Sequence, residues 1–351
     1  MRNGWLLVAL VLTSSPSLAR KAAPPAGARK DLQPFQRGVC YAHAWRGGGY
    51  GSDTSAKTLA RLRSLGVEWL SLTPFGFMES TAAAEIRSIA SGGGESDERM
   101  RVDVARAHAL GMKVALKPHI WIRHGEWQGD LKWPDEAAWR RWFASYRTFI
   151  VRYAELAERD HYDLLVIGTE LKSATARDLD GWRALIADVR RAYKGPITYA
   201  ANWDEAERVG FWSALDFVGI DAYAPIAKKP GSTKPELCTA WNVLAKELEA
   251  LSTRTGKRII LTEIGYRATR DAAMAPATWP ESDTSPSFDP DHQASCYRAA
   301  FETLWGRRWL AGIYVWKWFT DSKDEQGPTD FSPADKPAES VMSEFYRRDF
   351  R

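Results

Sequence analysis

From Phe35 onward the chain alternates without a break between short apolar runs of strand length and longer amphipathic stretches. The apolar runs fall at 38–42 (GVCYA), 67–73 (VEWLSLT), 112–118 (MKVALKP), 163–169 (DLLVIGT), 196–201 (PITYAA), 216–222 (DFVGIDA), 258–263 (RIILTE) and 311–318 (AGIYVWKW). Helix-period stretches lie between them, such as 97–110 (DERMRVDVARAHAL) and 136–158 (EAAWRRWFASYRTFIVRYAELAE), and a last helix is expected from Pro337 to Arg347. Leu65-Gly66, Leu110-Gly111 and Thr255-Gly256 sit where a helix should close before the next strand, each with the glycine that a left-handed C-cap favours. Eight strands, each followed by a helical segment and with no compositional break, predict an α/β chain folded as a single (β/α)8 TIM barrel over residues 35–351. A doubly wound open sheet also alternates. It usually carries a Gly-rich phosphate turn after its first strand, and Gly47-Gly48-Gly49-Tyr50-Gly51 lacks the GxGxxG spacing.

The first residues have another character. Met1-Arg2-Asn3 is a short basic start, Gly4–Thr13 is an apolar run too short to span a bilayer, and Ser17 and Ala19 are small residues at −3 and −1 of a cut after Ala19. Residues 1–19 therefore read as a signal peptide and 20–34, rich in Ala, Pro and basic residues, as a flexible leader. The expectation is export to the periplasm or the medium, without stable membrane insertion. The whole chain carries +4, and Arg2, Arg20, Lys21, Arg29 and Lys30 account for five positive charges, which leaves −1 for residues 31–351. A nearly neutral body offers no electrostatic footprint for nucleic acid. Three cysteines (Cys40, Cys238, Cys296) and six scattered histidines form neither a CxxC pair nor HExxH, so neither a metal nor any other cofactor is expected. No GxSxG elbow and no Walker loop is present.

A barrel places its active site at the C-terminal ends of its strands, so polar residues there carry information. Strand 3 ends Lys117-Pro118-His119-Ile120-Trp121, strand 4 ends Gly168-Thr169-Glu170, strand 5 ends Asn202-Trp203-Asp204, strand 6 ends Asp221-Ala222-Tyr223, strand 7 ends Thr262-Glu263, and strand 8 carries Trp316-Lys317-Trp318. Glu170 and Glu263 each close a run of Leu, Val and Ile, where a carboxylate is costly unless paired or hydrogen-bonded. Two facing one mouth suggest a pair tuned apart, one protonated acid and one ionised base or nucleophile, as glycoside hydrolysis requires. Sugar rings stack their C–H faces on flat aromatic side chains, and the chain has 17 Trp, 12 Tyr and 13 Phe. Trp45, Tyr50, Trp121, Trp203, Tyr223, Tyr266, Trp316 and Trp318 fall at strand ends and are candidates for lining a cleft, whereas Trp69, Trp139, Trp142, Trp182, Trp241 and Trp305 are expected to pack between helices and barrel. Asp221 is grouped with the substrate-binding residues, and His119 is expected on a loop.

The succession Asp103-Val-Ala-Arg-Ala-His-Ala-Leu-Gly-Met-Lys-Val-Ala-Leu-Lys-Pro-His119, then Ile167-Gly-Thr-Glu-Leu171, Asp216-Phe-Val-Gly-Ile-Asp-Ala-Tyr223 and Leu261-Thr-Glu-Ile-Gly-Tyr266 resembles glycoside hydrolase family 113, the β-mannanases of the large retaining (β/α)8 clan. The likeness runs from about Val39 to Trp318. It implies a double displacement in which Glu170 is the acid/base, Glu263 the nucleophile, Tyr223 the tyrosine that hydrogen-bonds the nucleophile and Trp316 the platform under the reacting sugar. Lys117, His119, Asn202 and Trp203 fall where substrate hydroxyls would be held. The wider clan usually has Asn before the acid/base; Thr169 stands there, as in the narrower mannanase family, and it bears on the preferred C2 epimer. The expected substrate is a polysaccharide or oligosaccharide, β-1,4-mannan first. The alternatives are another β-glycan (β-glucan, xylan or a cell-envelope polymer) and a barrel that binds polysaccharide without cutting it. Residues 267–290, rich in Pro, Ser, Asp and Ala, are long enough to wall off one end of a cleft.

Overall fold

A computed structural model describes residues 34–88, 93–278, 287–321 and 327–350. The expected signal peptide, and the leader up to residue 33, lie outside the described residues, as do 279–286 of the proposed cleft wall.

Each of the eight apolar runs forms a strand. In chain order the elements are β1 (Gln36–Ala42), α1 (Asp53–Ser64), β2 (Trp69–Leu72), α2 (Asp97–Ala109), β3 (Lys113–Leu116), α3 (Glu136–Arg159), β4 (Leu164–Thr169), α4 (Lys172–Thr175), α5 (Leu179–Ala192), β5 (Ile197–Asn202), β6 (Val218–Asp221), α6 (Lys234–Thr255), β7 (Ile259–Ile264), α7 (Pro290–Leu304), β8 (Leu310–Phe319) and α8 (Pro337–Tyr346). The strands pair in parallel and close into a barrel, β8 returning to β1. Because helices cover the outside and side chains fill the inside, the strands are apolar on both faces; β4 and β7 are buried at every position. One buried set, including Leu165, Ile167, Leu261 and Ile313, belongs to the core shared with the helices. The alternate positions Cys40, Ala115, Leu164 and Ile260 form a second cluster with Trp69, Tyr314, Tyr223 and Trp316, as the two-residue strand period demands. Trp69 thus packs among these alternate positions, not under the helices as expected.

Local chemistry sets the helix ends. Ser52, Asp135, Asp178 and Asp289 cap α1, α3, α5 and α7 by accepting a backbone N–H of the first turn, and Thr233 and Glu236 form a reciprocal capping box on α6. At the other end of α6, Gly256 adopts φ +67°, a conformation a side chain resists.

The regular alternation fails once. Between β5 and β6 the described chain makes only two 3-10 turns, Ala206–Arg208 and Trp212–Ala214. Aromatic rings take the place of the missing helix: Phe211 stacks on Trp182 at 4.8 Å, and Phe211 and Trp212 both contact Tyr199. Beyond β2 and β3 the chain adds a small sheet, in which Phe75–Met78 pairs with Arg87–Ser88 and with His119–Ile122. His119 therefore sits on a strand, opposite Phe75, and not on a loop. The described start of segment 267–290 packs on the loop after β6, where Ile226 N donates to Ala273 O and Gly231 N to Arg270 O.

Candidate active site

Glu170 and Glu263 sit in opposite settings at the C-terminal mouth. Glu170 follows β4 directly with φ +51°, a left-handed conformation that costs about 1 kcal/mol or more in a non-glycine residue and is retained only where its surroundings enforce it. Here they do: Glu170 N donates to Ala200 O at 2.8 Å, and Leu171 N donates to the Tyr199 hydroxyl at 2.7 Å. Among the described residues the carboxylate accepts only neutral donors, Trp127 Nε1 at 2.9 Å and Gln128 Nε2 at 3.4 Å on Oε2, and Asn202 Nδ2 at 2.9 Å on Oε1. Burial, then the negative charges of Asp221 and Glu263, raise its pKa to about 8.

Glu263, within β7, has a cation. Lys117 Nζ lies 2.5 Å from Oε1, the Tyr223 hydroxyl donates to Oε2 at 2.6 Å, and His119 Nε2 stands 3.7 Å away. Lys117 also donates to both Asp221 oxygens, at 3.0 and 3.2 Å, and Asp221 accepts from Thr262 Oγ1 at 2.7 Å. Burial and the Asp221 charge raise Glu263 to about 7, while the ammonium and its hydrogen bond pull it back below Glu170. Burial alone would push Lys117 down, but Asp221 and Glu263 outweigh it and hold the ammonium above the usual lysine range. His119, depressed by burial and by Lys117 and Lys317, stays neutral and stacks on Trp316 at 5.7 Å. A carboxyl that meets neutral donors beside one that faces a cation is the arrangement an acid and a nucleophile require.

The structure gathers most of the expected residues and corrects five, two of them being Tyr266 and Trp318, which lie buried in the core and not along a cleft. Trp45 and Trp203 are 63% and 42% exposed on the rim, and Asn202, His119, Tyr223 and Trp316 surround the two glutamates. Tyr50 is fully buried; its hydroxyl donates to Tyr41 O at 2.6 Å and accepts from Thr73 N at 3.1 Å, so it ties β1 to the end of β2 and meets no sugar. Lys117 and Asp221 have no exposed surface either, and act on Glu263 from beneath rather than on substrate hydroxyls. Trp127 and Gln128 were missed. A legible signal existed in Gly125-Glu126-Trp127-Gln128-Gly129, an indole between two glycines just beyond the strand-3 aromatics, and the ring lies so close over Gly129 that a Cβ there would clash with it. His119 Nε2 and Thr169 Oγ1 are buried without a hydrogen-bond partner among the described residues, positions suited to a ligand hydroxyl. No three His, Cys, Asp or Glu side chains among the described residues are arranged to hold a metal ion.

Holding protons on buried carboxyls has a cost that pH exposes. Glu95, raised to about 7 mainly by burial, joins Glu170 and Glu263 in keeping protons that the unfolded chain has already lost. Their stabilising contribution is complete below the unfolded pKa and disappears as pH rises through the folded values. At about 1.4 kcal/mol for each pH unit over which a group keeps its proton, urea unfolding is therefore expected to show stability falling by roughly 5 kcal/mol between pH 6 and 9. A flat or rising profile would contradict these raised values.

The family model of Glycoside Hydrolase Family 113 matches residues 39–347. Among solved structures, a family 113 β-1,4-mannanase determined as a complex is 28% identical with a TM-score of 0.76, covering 90% of this chain and 100% of that one. The family 113 β-mannanase from Alicyclobacillus acidocaldarius in complex with ManMIm is 26% identical with a TM-score of 0.77, covering 89% and 97%. A family 5 mannosidase from Rhizomucor miehei, 14% identical with a TM-score of 0.62 over 91% and 94%, shares the fold. A comparison with curated proteins gave no match. A barrel whose mouth holds two buried carboxyls in different settings, matched to one family along nearly its whole length, is a glycoside hydrolase, and the chain belongs to glycoside hydrolase family 113.

Proposed function

We propose that this protein is an exported retaining β-mannanase that cleaves β-1,4-linked mannan or manno-oligosaccharides. The observation that carries the mechanism is the asymmetry of the two glutamates: Glu263 faces a lysine ammonium and a phenol, whereas Glu170 meets only neutral donors among the described residues. In the first step a Glu263 oxygen bonds to the anomeric carbon as the glycosidic C–O bond breaks, and the Glu170 proton goes to the departing oxygen. In the second, Glu170 takes a proton from water, the water oxygen bonds to the same carbon, and Glu263 leaves. Two inversions give net retention. His119 Nε2 and Thr169 Oγ1, buried without a hydrogen-bond partner among the described residues, are suited to the hydroxyls of the reacting sugar, and Trp316 to its face. The two similar family 113 structures named as mannanases support the choice of sugar. Export rests on the first 19 residues of the sequence; no helix among the described residues is long and apolar enough to cross a membrane.

The test is product analysis on a β-1,4-linked panel of manno-, gluco- and xylo-oligosaccharides. Short products from the manno series are expected. Cleavage confined to another series would replace the substrate, and binding without cleavage of any series would sink the enzymatic reading.

A further inference from the structure

The turn after β5 buries a third carboxylate, which the two displacement steps leave unused. Glu205 is 2% exposed, and among the described residues three donors converge on it: Thr175 Oγ1 at 2.5 Å and the Tyr199 hydroxyl at 2.8 Å on Oε1, and Asn202 N at 3.1 Å on Oε2. Its own N–H donates to Asn202 O at 2.9 Å, so side chain and backbone close the turn together. Burial raises its pKa above the ordinary carboxylate value, and the hydrogen bonds from Thr175, Tyr199 and Asn202 N oppose that rise. A carboxyl is costly to bury, and a chain reversal alone does not require one. What sets this one apart is where its donors lead.

All three lead to Glu170. Thr175 ends α4, the short helix that starts at Lys172, just after Glu170 and Leu171. The Tyr199 hydroxyl has a single hydrogen; giving it to Glu205 turns a lone pair to Leu171 N, one of the two backbone bonds that hold Glu170 at φ +51°. Asn202, anchored on Glu205 through its backbone N–H, sends its side-chain amide to Glu170 Oε1. The Tyr199 ring reaches this position because residue 168 of β4 is glycine: a Cβ there would stand 2.9 Å from the ring. Neither Lys117 nor Tyr223, the donors to Glu263, is hydrogen-bonded to Glu205 among the described residues. We propose that Glu205 is a positioning residue for proton transfer: through the Tyr199 hydroxyl and Asn202 it fixes the main chain and the carboxyl of Glu170 for protonation of the leaving oxygen, and takes no part in the attack by Glu263. This rests on the assignment of Glu170 as the acid.

The experiment compares wild type, Glu205→Gln, Tyr199→Phe and Glu170→Ala on two substrates: the β-1,4 oligosaccharide series that the wild type cleaves, and the dinitrophenyl β-glycoside of the same sugar, whose leaving group needs no proton. It reads kcat/KM, which reports the bond-breaking step, and records thermal unfolding for each variant. Glu205→Gln keeps the volume but sets an amide N–H2 where only acceptors fit, so at least one of the three donors meets a donor. Tyr199→Phe keeps the ring against Trp182 and Phe211 and removes only the hydroxyl. On the oligosaccharide, Glu205→Gln is expected to lose about 10- to 100-fold, the upper figure being what a displacement of ~1 Å costs. On the aryl glycoside it is expected to lose less than about threefold, and Tyr199→Phe to show the same imbalance with smaller losses. Equal losses on the two substrates would make Glu205 a stabiliser of the fold alone and overturn the proposal, as would a loss under about threefold on the oligosaccharide. If Glu205→Gln does not fold, Tyr199→Phe decides by the same ratio. If Glu170→Ala itself shows no imbalance, the assignment of the acid falls and the proposal with it. Wild-type failure on every series overturns both the glycosidase reading and the proposal.

Discussion

Glu263→Ala is expected to lower kcat by at least about 10⁴-fold on any substrate the wild type cleaves, because no other group replaces the nucleophile. The substitution opens a carboxylate-sized space while leaving Lys117, Tyr223 and His119 around it, three side chains that already face an anion. Azide should enter that space and attack the anomeric carbon as Glu170 protonates the leaving oxygen. With only one displacement left, the glycosyl azide forms with inverted configuration, read by NMR. Glu170→Ala is expected to lose about 10²- to 10⁴-fold on substrates with poor leaving groups and much less on an aryl glycoside that needs no proton. Azide should then intercept the covalent intermediate and give the retained product. The assignment fails if Glu263→Ala keeps activity within tenfold of wild type, or if the configurations come out exchanged.

Lys117→Met is the second large effect. In the wild type, Glu263 must be ionised and Glu170 protonated, so kcat/KM is expected to follow a narrow bell whose acid and basic limbs, near 7 and 8, belong to the pair. Lys117 is the cation that favours the ionised form of Glu263 and of Asp221. Methionine removes that charge and leaves the Tyr223 hydrogen bond to oppose burial and the repulsion of Asp221, so the acid limb moves to higher pH. Each unit of that shift costs about tenfold in ionised Glu263 at neutral pH. The same charge also lowers Glu170, but as a smaller influence, so the acid limb moves further than the basic limb, the bell narrows, and activity at pH 7 is expected to fall about 100-fold or more. Stability drops as well, by about 3–5 kcal/mol, since a buried charge cluster has lost one partner. The pH profile separates the two roles: an acid limb that stays in place despite lower activity would make Lys117 a purely structural residue.

The strands of the barrel were legible because a strand covered on both faces must be apolar throughout. β4 and β7 announce themselves as LLVIGT and IILTEI. The helix between β5 and β6 was not legible as missing, since Phe211 and Trp212 supply the same apolar cover a helix face would. In the site, polar residues at strand ends located Glu170 and Glu263 but could not tell a residue that touches substrate from one that supports it. Tyr50, Lys117 and Asp221 look like Tyr223, His119 and Asn202 in a one-dimensional list; only depth beneath the mouth separates them.

By itself, the sequence determined the barrel, its strand boundaries to within a few residues and the two carboxyls at its mouth, because periodicity, glycine caps and the cost of an isolated charge are local properties of the chain. Only the tertiary structure decided which partners each carboxyl meets. Lys117 lies 146 positions from Glu263 and Trp127 lies 43 from Glu170, yet the closed barrel brings each pair within 3 Å. That closure sets which glutamate keeps its proton, since proton affinity depends on charges and burial that no local stretch of sequence contains.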